Sequence, residues 1–390
     1  MNINSISILR PCTSCQMCSA VCPKNVITIE LDNNGFYRPK INNELCIDCG
    51  LCTQVCYKYD PSIIITSQEE LSNTSLYAAS AKDDELVAQT TSGGIADLLA
   101  KKLIDQGYGV IGVTYDYEKD KAISKIATSK ADTESFRGSK YIQSYTVEAF
   151  KNLVLTCCNK KYAVFGLPCH IYAINRYLTK HNLRNTCILI DLYCHGCPSM
   201  LVWDKTRTMI KRKLNTDHFD YVNFRSKVKG WGQFVIEARS GNKNYKSSPM
   251  HNEFYDLFFS NQLLNESCTN CQLRSTLAYT DIRLGDFWGK MFNNTSRGIS
   301  GVSVVTSLGK MFFNSIQDNV DFKLLDHSIF LPYQSWGIQY RVNKELQEEL
   351  FSFLKDEKKS IKDVANIINQ NQGMVISLKK LVKQLLFMLK

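Results

Sequence analysis

Two cysteine runs within the first sixty residues constrain this chain more than anything else in it. The first is Cys12-x2-Cys15-x2-Cys18-x3-Cys22, closed by Pro23, and the second is Cys46-x2-Cys49-x2-Cys52-x3-Cys56. Three thiolates at x2 spacing share one tight loop and can face one cube of iron and sulfide, whereas the fourth lies too far along to close the same loop. Where two such runs occur in tandem, the fourth cysteine of each ligates the other's cluster. The spacing therefore predicts Cys12, Cys15, Cys18 and Cys56 on one 4Fe–4S cluster, and Cys46, Cys49, Cys52 and Cys22 on a second.

Two other frameworks use cysteine at high density. A zinc ribbon needs two CxxC pairs with a longer spacer and has no use for a third and fourth cysteine at x2 and x3. A disulfide framework needs an oxidising compartment, for which nothing in the chain argues. The front stretch resembles a bacterial-type two-cluster ferredoxin. It departs in having Tyr57 where a proline usually follows the second run, which loosens the local turn more than it touches the ligands.

At 390 residues the chain has length for two or three domains. Of its 16 cysteines, Cys157, Cys158, Cys187 and Cys197 fall outside the motifs discussed here and are expected as buried free thiols. The first ten residues lack a basic stretch followed by an apolar core, and no apolar run approaches the length of a membrane span. A reducing cytoplasm is the expected home. The net charge of +10 points to an anionic partner: a phosphate-bearing cofactor, an acidic electron carrier or a membrane surface. The lysines are spread along the chain and no nucleic-acid module signature appears, so no nucleic acid is expected.

The expected organisation is a cluster-binding domain over 1–66, a polar linker over 67–89, an α/β domain with a mixed sheet over 90–330, and a helical tail over 331–390. Thr90-Thr91-Ser92-Gly93-Gly94 opens the second domain, with Ser92 as N-cap of a helix carrying Ile95, Leu98, Leu99 and Leu103. Small residues at such a start leave N–H groups free for an anion, although a plain helix cap accounts for them equally. Arg137-Gly138-Ser139-Lys140-Tyr141 is either an exposed turn or a cofactor contact through Arg137 or Lys140. From 147 the pattern runs helix, strand, helix, strand, a βαβ unit whose strands should be parallel. Cys169 and Cys194 each follow one of those strands, at the carboxyl edge where ligands bind in open α/β folds.

A further pair, Cys268-x2-Cys271, raises the count there to four thiolates, and we expect a third 4Fe–4S cluster on Cys169, Cys194, Cys268 and Cys271. The rival is an all-cysteine zinc site, since thiolates from separate loops do not choose their metal by spacing. Gly285-Asp286-Phe287-Trp288-Gly289 holds an acid and an aromatic between glycines, a place for backbone to lie against a flat ring. The chain closes on a basic amphipathic helix, with Leu378, Leu381, Val382, Leu385, Leu386 and Leu389 on one face. That face either packs on the protein or a partner, or lies on an anionic membrane.

Taken together, Ser92-Gly93-Gly94, Ser139-Lys140-Tyr141, Gly166-Leu167-Pro168-Cys169, Cys194-His195-Gly196, Cys268-x2-Cys271 and Gly285-Asp286-Phe287-Trp288-Gly289 make the chain similar to the family of coenzyme F420 hydrogenase and dehydrogenase beta subunits, as far as about residue 330. Leu167 stands where many members carry threonine. The resemblance implies FAD exchanging electrons between clusters and a two-electron organic substrate, with the deazaflavin coenzyme as one such substrate. It implies a ferredoxin or other redox protein as donor. Ser92, Gly93, Gly94, Arg137, Ser139, Lys140, Asp286 and Trp288 are the candidates for holding flavin or substrate, and His195 is the candidate proton donor or, equally, a structural histidine. A flavin joins one-electron and two-electron chemistry, so an iron–sulfur oxidoreductase is the leading reading. An electron-transfer subunit with no substrate of its own is the first alternative, and a cluster-bearing regulator without flavin is the second.

Overall fold

The computed structural model describes residues 2–5, 8–292 and 295–371. At the front, β1 (Ile27–Leu31) and β2 (Tyr37–Ile41) form an antiparallel hairpin in the register Ile27↔Ile41 to Leu31↔Tyr37. The Asp32 carboxylate accepts from the backbone N–H groups of Asn34 and Phe36, both at 2.9 Å, which fixes the turn between them. One helical turn, Met17–Ala20, carries Cys18, and another, Leu51–Gln54, carries Cys52.

Twelve further strands follow: β3 (Ser75–Ala81), β4 (Gly109–Asp116), β5 (Lys121–Ala127), β6 (Ser144–Tyr145), β7 (Tyr162–Phe165), β8 (Cys187–Leu192), β9 (Tyr221–Ser226), β10 (Val235–Ser240), β11 (Lys243–Lys246), β12 (Ile282–Asp286), β13 (Ser300–Val304) and β14 (Val320–Leu325). Nine of them build a mixed sheet in the order β14-β3-β13-β12-β8-β7-β4-β5-β6, and β11-β10-β9 form a small antiparallel sheet. The centre, β4-β7-β8-β12, is parallel. The expected βαβ unit is present: β7 and β8 pair in parallel from Tyr162↔Cys187 to Phe165↔Ile190. Helix Pro168–Lys180 joins them, pressing Ile171, Tyr172, Ile174 and Leu178 inward. Cys187 to Asp191 is buried without a break, the signature of a strand covered on both faces. Each fully buried Ile or Leu there contributes about 1.5–3 kcal/mol.

One boundary expectation is corrected. The stretch 67–89 contains β3, paired with β13 on one side and β14 on the other, so it is part of the sheet rather than a linker. Leu76, Ala78, Ala79, Ser80 and Ala81 are its buried residues, too small and too mixed with serine to read as a strand. The region after 330 is helical as far as it is described. Helices Lys344–Lys355 and Ile361–Asn371 bury Leu350, Leu354, Ile361, Val364 and Ile368 in the same core as Trp203 and Phe254, and Phe36 of the front hairpin meets Phe351 edge-on at 6.3 Å. The amphipathic segment over 378–389 lies outside the described residues. Among those described, no helix is long and apolar enough to cross a membrane.

The front end is bonded to the body. Gln16 donates through Nε2 to the Ser144 carbonyl and accepts from the Thr146 N–H, both at 2.8 Å, and Thr146 Oγ1 donates to the Cys15 carbonyl at 3.1 Å. The Ser14 hydroxyl accepts from Arg38 at 2.7 Å and from Asn265 Nδ2 at 2.9 Å. These bonds place the first cysteine run beside the carboxyl ends of β7 and β8.

Candidate iron–sulfur and electron-transfer site

The two cysteine runs share one backbone form. Two and four residues past its first cysteine, each run passes through left-handed backbone: Ser14 (φ 63°) and Gln16 (φ 65°) in the first, Asp48 (φ 48°) and Gly50 (φ 75°) in the second. Non-glycine residues in that region carry strain that persists only where the surroundings demand it. Its effect is to turn backbone donors toward sulfur. The N–H of Ser14 points at Cys12 Sγ and the N–H of Asp48 at Cys46 Sγ, both at 3.4 Å. Such donors stabilise a charged sulfur.

The fourth cysteine of each run crosses to the other. A cavity of about 180 Å³ is lined by Cys12, Cys15, Cys18 and Cys56. A narrower one, of about 20 Å³, is lined by Cys22, Cys46, Cys49 and Cys52. These are the two groups that the spacing predicts. Cys15, Cys18 and Cys52 are buried, and Cys49 is exposed. Burial pushes the Cys15 thiol up to about 11, with Cys12 adding to the rise, and pushes Cys18 well above its ordinary value, with Cys15, Cys12, Cys56 and Cys52 adding. Ionisable thiols gathered in a dry space repel once charged, and a metal core is what makes such a gathering favourable. The donor set fits a cluster at each place.

Behind the first cavity lies the inner thiol group. Cys169 opens helix Pro168–Lys180 at the end of β7, Cys194 follows β8, and Cys268 lies in the turn Glu266–Thr269. Burial raises Cys169 well above its ordinary range, and the neighbours adding to it are Cys15, Cys194, Cys197 and Cys268. Cys194 is pushed up to about 12 by burial, then by Cys268, with Cys271 also raising it. The four expected thiols lie within electrostatic reach of one another, with Cys197 among them. Cys15 is the thiol of the front end that reaches this group. Among the described residues, no three His, Cys, Asp or Glu side chains are grouped closely enough for one metal ion.

Arg274 holds the inner loops together. Its buried guanidinium donates to the carbonyls of Cys194 (3.1 Å), His195 (2.6 Å), Cys268 (2.5 Å) and Ile338 (2.8 Å), and it lies 4.6 Å over the Tyr340 ring. Tyr57, the departure from the usual proline, is 2% exposed. Its hydroxyl accepts from the N–H of Gln272, next to Cys271, at 3.1 Å. Neither role is visible in a sequence, because each depends on which carbonyl or amide the fold brings up.

His195 has both ring nitrogens engaged. Nε2 lies 2.7 Å from Asn261 Oδ1 and Nδ1 lies 3.0 Å from the Tyr340 hydroxyl. An Nε2–H tautomer satisfies both, donating to the amide oxygen and accepting from the phenol. Burial lowers its pKa, with Arg274 acting the same way against the bond to Asn261.

The residues expected to hold a ring or an anion do come together, but most of their polar atoms are already used. Ser92 is not the N-cap; Gly94 (φ 80°) is, and the helix runs Ile95–Asp105. Ser92 Oγ donates to the Ile299 carbonyl (2.8 Å), and the N–H of Gly93 to Ser300 Oγ (3.0 Å). A Cβ on Gly93 would stand 2.4 Å from the Ala79 carbonyl, so the glycine serves close approach to the sheet. Arg137 pairs with Asp97 (2.7 Å), and Lys140 Nζ donates to the carbonyls of Ser135, Phe136 and Arg137. The Ser139 N–H donates to Thr91 Oγ1 at 2.7 Å. Asp286 pairs with Arg225, and Trp288 stacks on Trp231 with centroids 4.2 Å apart and 11° between planes.

The free donors belong to neighbours that sequence reasoning passed over. Arg225 Nε, Trp231 Nε1 and Arg297 Nε are buried without hydrogen-bond partners. Lys227 donates to three carbonyls, those of Val87, Ser92 and Arg297. Arg225 pairs with Asp286 and Arg297 with Asp84, and Lys227 lies within electrostatic reach of Asp286 and of both arginines. The unpartnered N–H groups among them suit a ligand rich in hydrogen-bond acceptors.

Comparison with known proteins finds relatives of both parts of the chain. Residues 11–58 match the 4Fe-4S dicluster domain. Residues 76–151 match "Coenzyme F420 hydrogenase/dehydrogenase, beta subunit N-term", and residues 159–328 match the corresponding C terminus. One subunit of the F(420)H(2) dehydrogenase of Methanosarcina mazei is 24% identical over 324 residues, covering 80% of this chain and 83% of the relative. A coenzyme F420-dependent sulfite reductase of Methanocaldococcus jannaschii is 26% identical over 190 residues, 47% of this chain and 28% of that protein. A chain of the F420-reducing NiFe hydrogenase complex from Methanosarcina barkeri overlays with a TM-score of 0.47 at 16% identity, covering 80% of this chain and 93% of that one. With both halves of the beta subunit matched in order behind a dicluster domain, the chain belongs to the family of coenzyme F420 hydrogenase/dehydrogenase beta subunits.

Proposed function

We propose that this chain is an iron–sulfur oxidoreductase that moves electrons between a redox protein at its front face and a flavin-class ring within the α/β domain. One observation carries the reading: three groups of thiols follow one another inward. The first is Cys22, Cys46, Cys49 and Cys52, the second Cys12, Cys15, Cys18 and Cys56, and the third Cys169, Cys194, Cys268 and Cys271. Bound 4Fe–4S clusters supply single electrons, and a flavin-type ring, FAD or the deazaflavin itself, converts them to pairs. The chain's part is to hold and to insulate. Exposed Cys49 opens the outermost group to a ferredoxin-like donor, while the buried thiols behind it exclude water.

At the far end, Arg225, Lys227 and Arg297 offer charge to an anionic group, with Trp231 and Trp288 beside it. Ser92–Gly94, Arg137, Ser139 and Lys140 shape the wall through the internal bonds described above. His195, locked by Asn261 and Tyr340, orients the loop between Cys194 and Gly196. Work as an electron-transfer subunit, with the organic substrate handled by another chain, is favoured by the Methanosarcina mazei relative, which is itself one part of a dehydrogenase of several chains.

Anaerobically purified full-length protein tests the reading. We expect a flavin released by acid and bleached in the holoprotein by a reduced ferredoxin. Protein that carries iron but neither releases a flavin nor reduces added F420 would refute it in favour of a regulator.

A further inference from the structure

The inner group holds one thiol more than a cubane takes. We propose that Cys197 is a competent iron ligand, so that the inner centre closes on Cys194, Cys268 and Cys271 with either Cys169 or Cys197 in the fourth position. The proposal rests on reading that centre as a 4Fe–4S cluster.

Cys194-x2-Cys197 has the same spacing as Cys268-x2-Cys271, and the two loops run against each other. Pro198 and Leu264 form an antiparallel bridge. The N–H of Asn265 donates to the Cys197 carbonyl, and the N–H of Cys268 to the Asn265 carbonyl, both at 2.8 Å. Between the two cysteines of the first pair, Gly196 (φ 151°) lets the loops touch: a Cβ there would lie 2.8 Å from Leu264 and 3.4 Å from the Cβ of Cys268. Arg274 then ties Cys194, His195 and Cys268 by their carbonyls.

A thiol at 197, one residue past that contact, has Cys268 and Cys194 as its charged neighbours. Cys169 faces the same two thiols and Cys197, but it also faces Cys15 of the front end. Two facing CxxC pairs are therefore a complete four-thiol set, and Cys169 is a second claimant reaching in from its own helix. The remaining free cysteines do not compete: Cys187 opens β8 at the end opposite Cys194, with Cys157 as its neighbour, and Cys158, expected as a buried thiol, is exposed.

The test uses the full chain, purified anaerobically, as wild type, Cys169→Ala, Cys197→Ala and the double variant. Iron and acid-labile sulfide are counted, and the reduced proteins are examined by electron paramagnetic resonance. Signals of the two front clusters, whose ligands are untouched, report that each variant has folded. We expect each single variant to keep about twelve irons per chain, with a shifted inner-cluster signal in Cys169→Ala, and the double variant to fall to about eight. A fall to about eight in either single variant would overturn the proposal, as would a double variant that keeps about twelve. A wild-type count of about eight would instead refute the third cluster itself before any variant is read.

Discussion

Replacing Arg274 with methionine keeps most of the side-chain volume and removes every donor that ties the inner loops. Three of its four acceptor carbonyls belong to Cys194, His195 and Cys268, on the loops that carry the inner thiols. At about 1 kcal/mol net for each bond lost, those loops lose about 3 kcal/mol of resistance to local opening. Since about 1.4 kcal/mol is a factor of ten, amide protection there falls about a hundredfold. Hydrogen exchange read by mass spectrometry on the anaerobic protein reports this segment by segment. Faster exchange is expected around 194–197 and 266–272, and unchanged exchange in β4 and β7 on the far side of the helix. Uniformly unchanged exchange in the Arg274→Met variant would show that the guanidinium does not hold the loops. Uniformly faster exchange would show that it stabilises the whole fold instead.

Tyr57→Phe removes the acceptor of the Gln272 N–H and leaves that part-buried donor unpaired. A loss of about 1–2 kcal/mol in chemical denaturation is expected, and no change would mean that the hydroxyl does not join the front end to the inner loop. Gly93→Ala puts a Cβ 2.4 Å from the Ala79 carbonyl, which is backbone of β3 and cannot step aside. A loss of more than about 3 kcal/mol, seen as poor soluble yield and a lowered melting point, is expected; wild-type stability would argue against this packing. Burial lowers Lys227 to about 8 from 10.5. Between those values the unfolded chain holds a proton that the folded chain has released, so this lysine's contribution to stability rises with pH across the window. Lys227→Met should flatten that rise in urea midpoints measured from pH 7.5 to 10, and an unaltered slope would contradict it.

What was legible in the sequence is what covalent spacing controls. The crossing of Cys22 and Cys56 followed from the reach of an x2-x2-x3 run, and the two cavities are lined accordingly. The parallel pairing of β7 and β8 followed from unbroken apolar strands around a helix. β3 was missed because its alanines and serines carry little hydrophobic signal, and its burial depends on two strands more than two hundred residues away. Gly93 read as part of an anion cradle or, equally, of a plain helix cap, whereas its missing side chain lets the chain cross β3. Arg225, Lys227 and Arg297 carry no signal of their own in the sequence, and only the fold brings Arg225 and Lys227 beside Asp286 with Arg297 near them. Cys197 read as a spare core thiol because its partner CxxC pair lies seventy residues on.

The central claim is that cysteines from distant parts of one chain build a file of iron–sulfur centres. Iron and acid-labile sulfide per chain, counted on protein purified without oxygen, test it most directly. About twelve of each are predicted, four for each of the three thiol groups, and about eight or fewer would contradict the inner centre on Cys169, Cys194, Cys268 and Cys271.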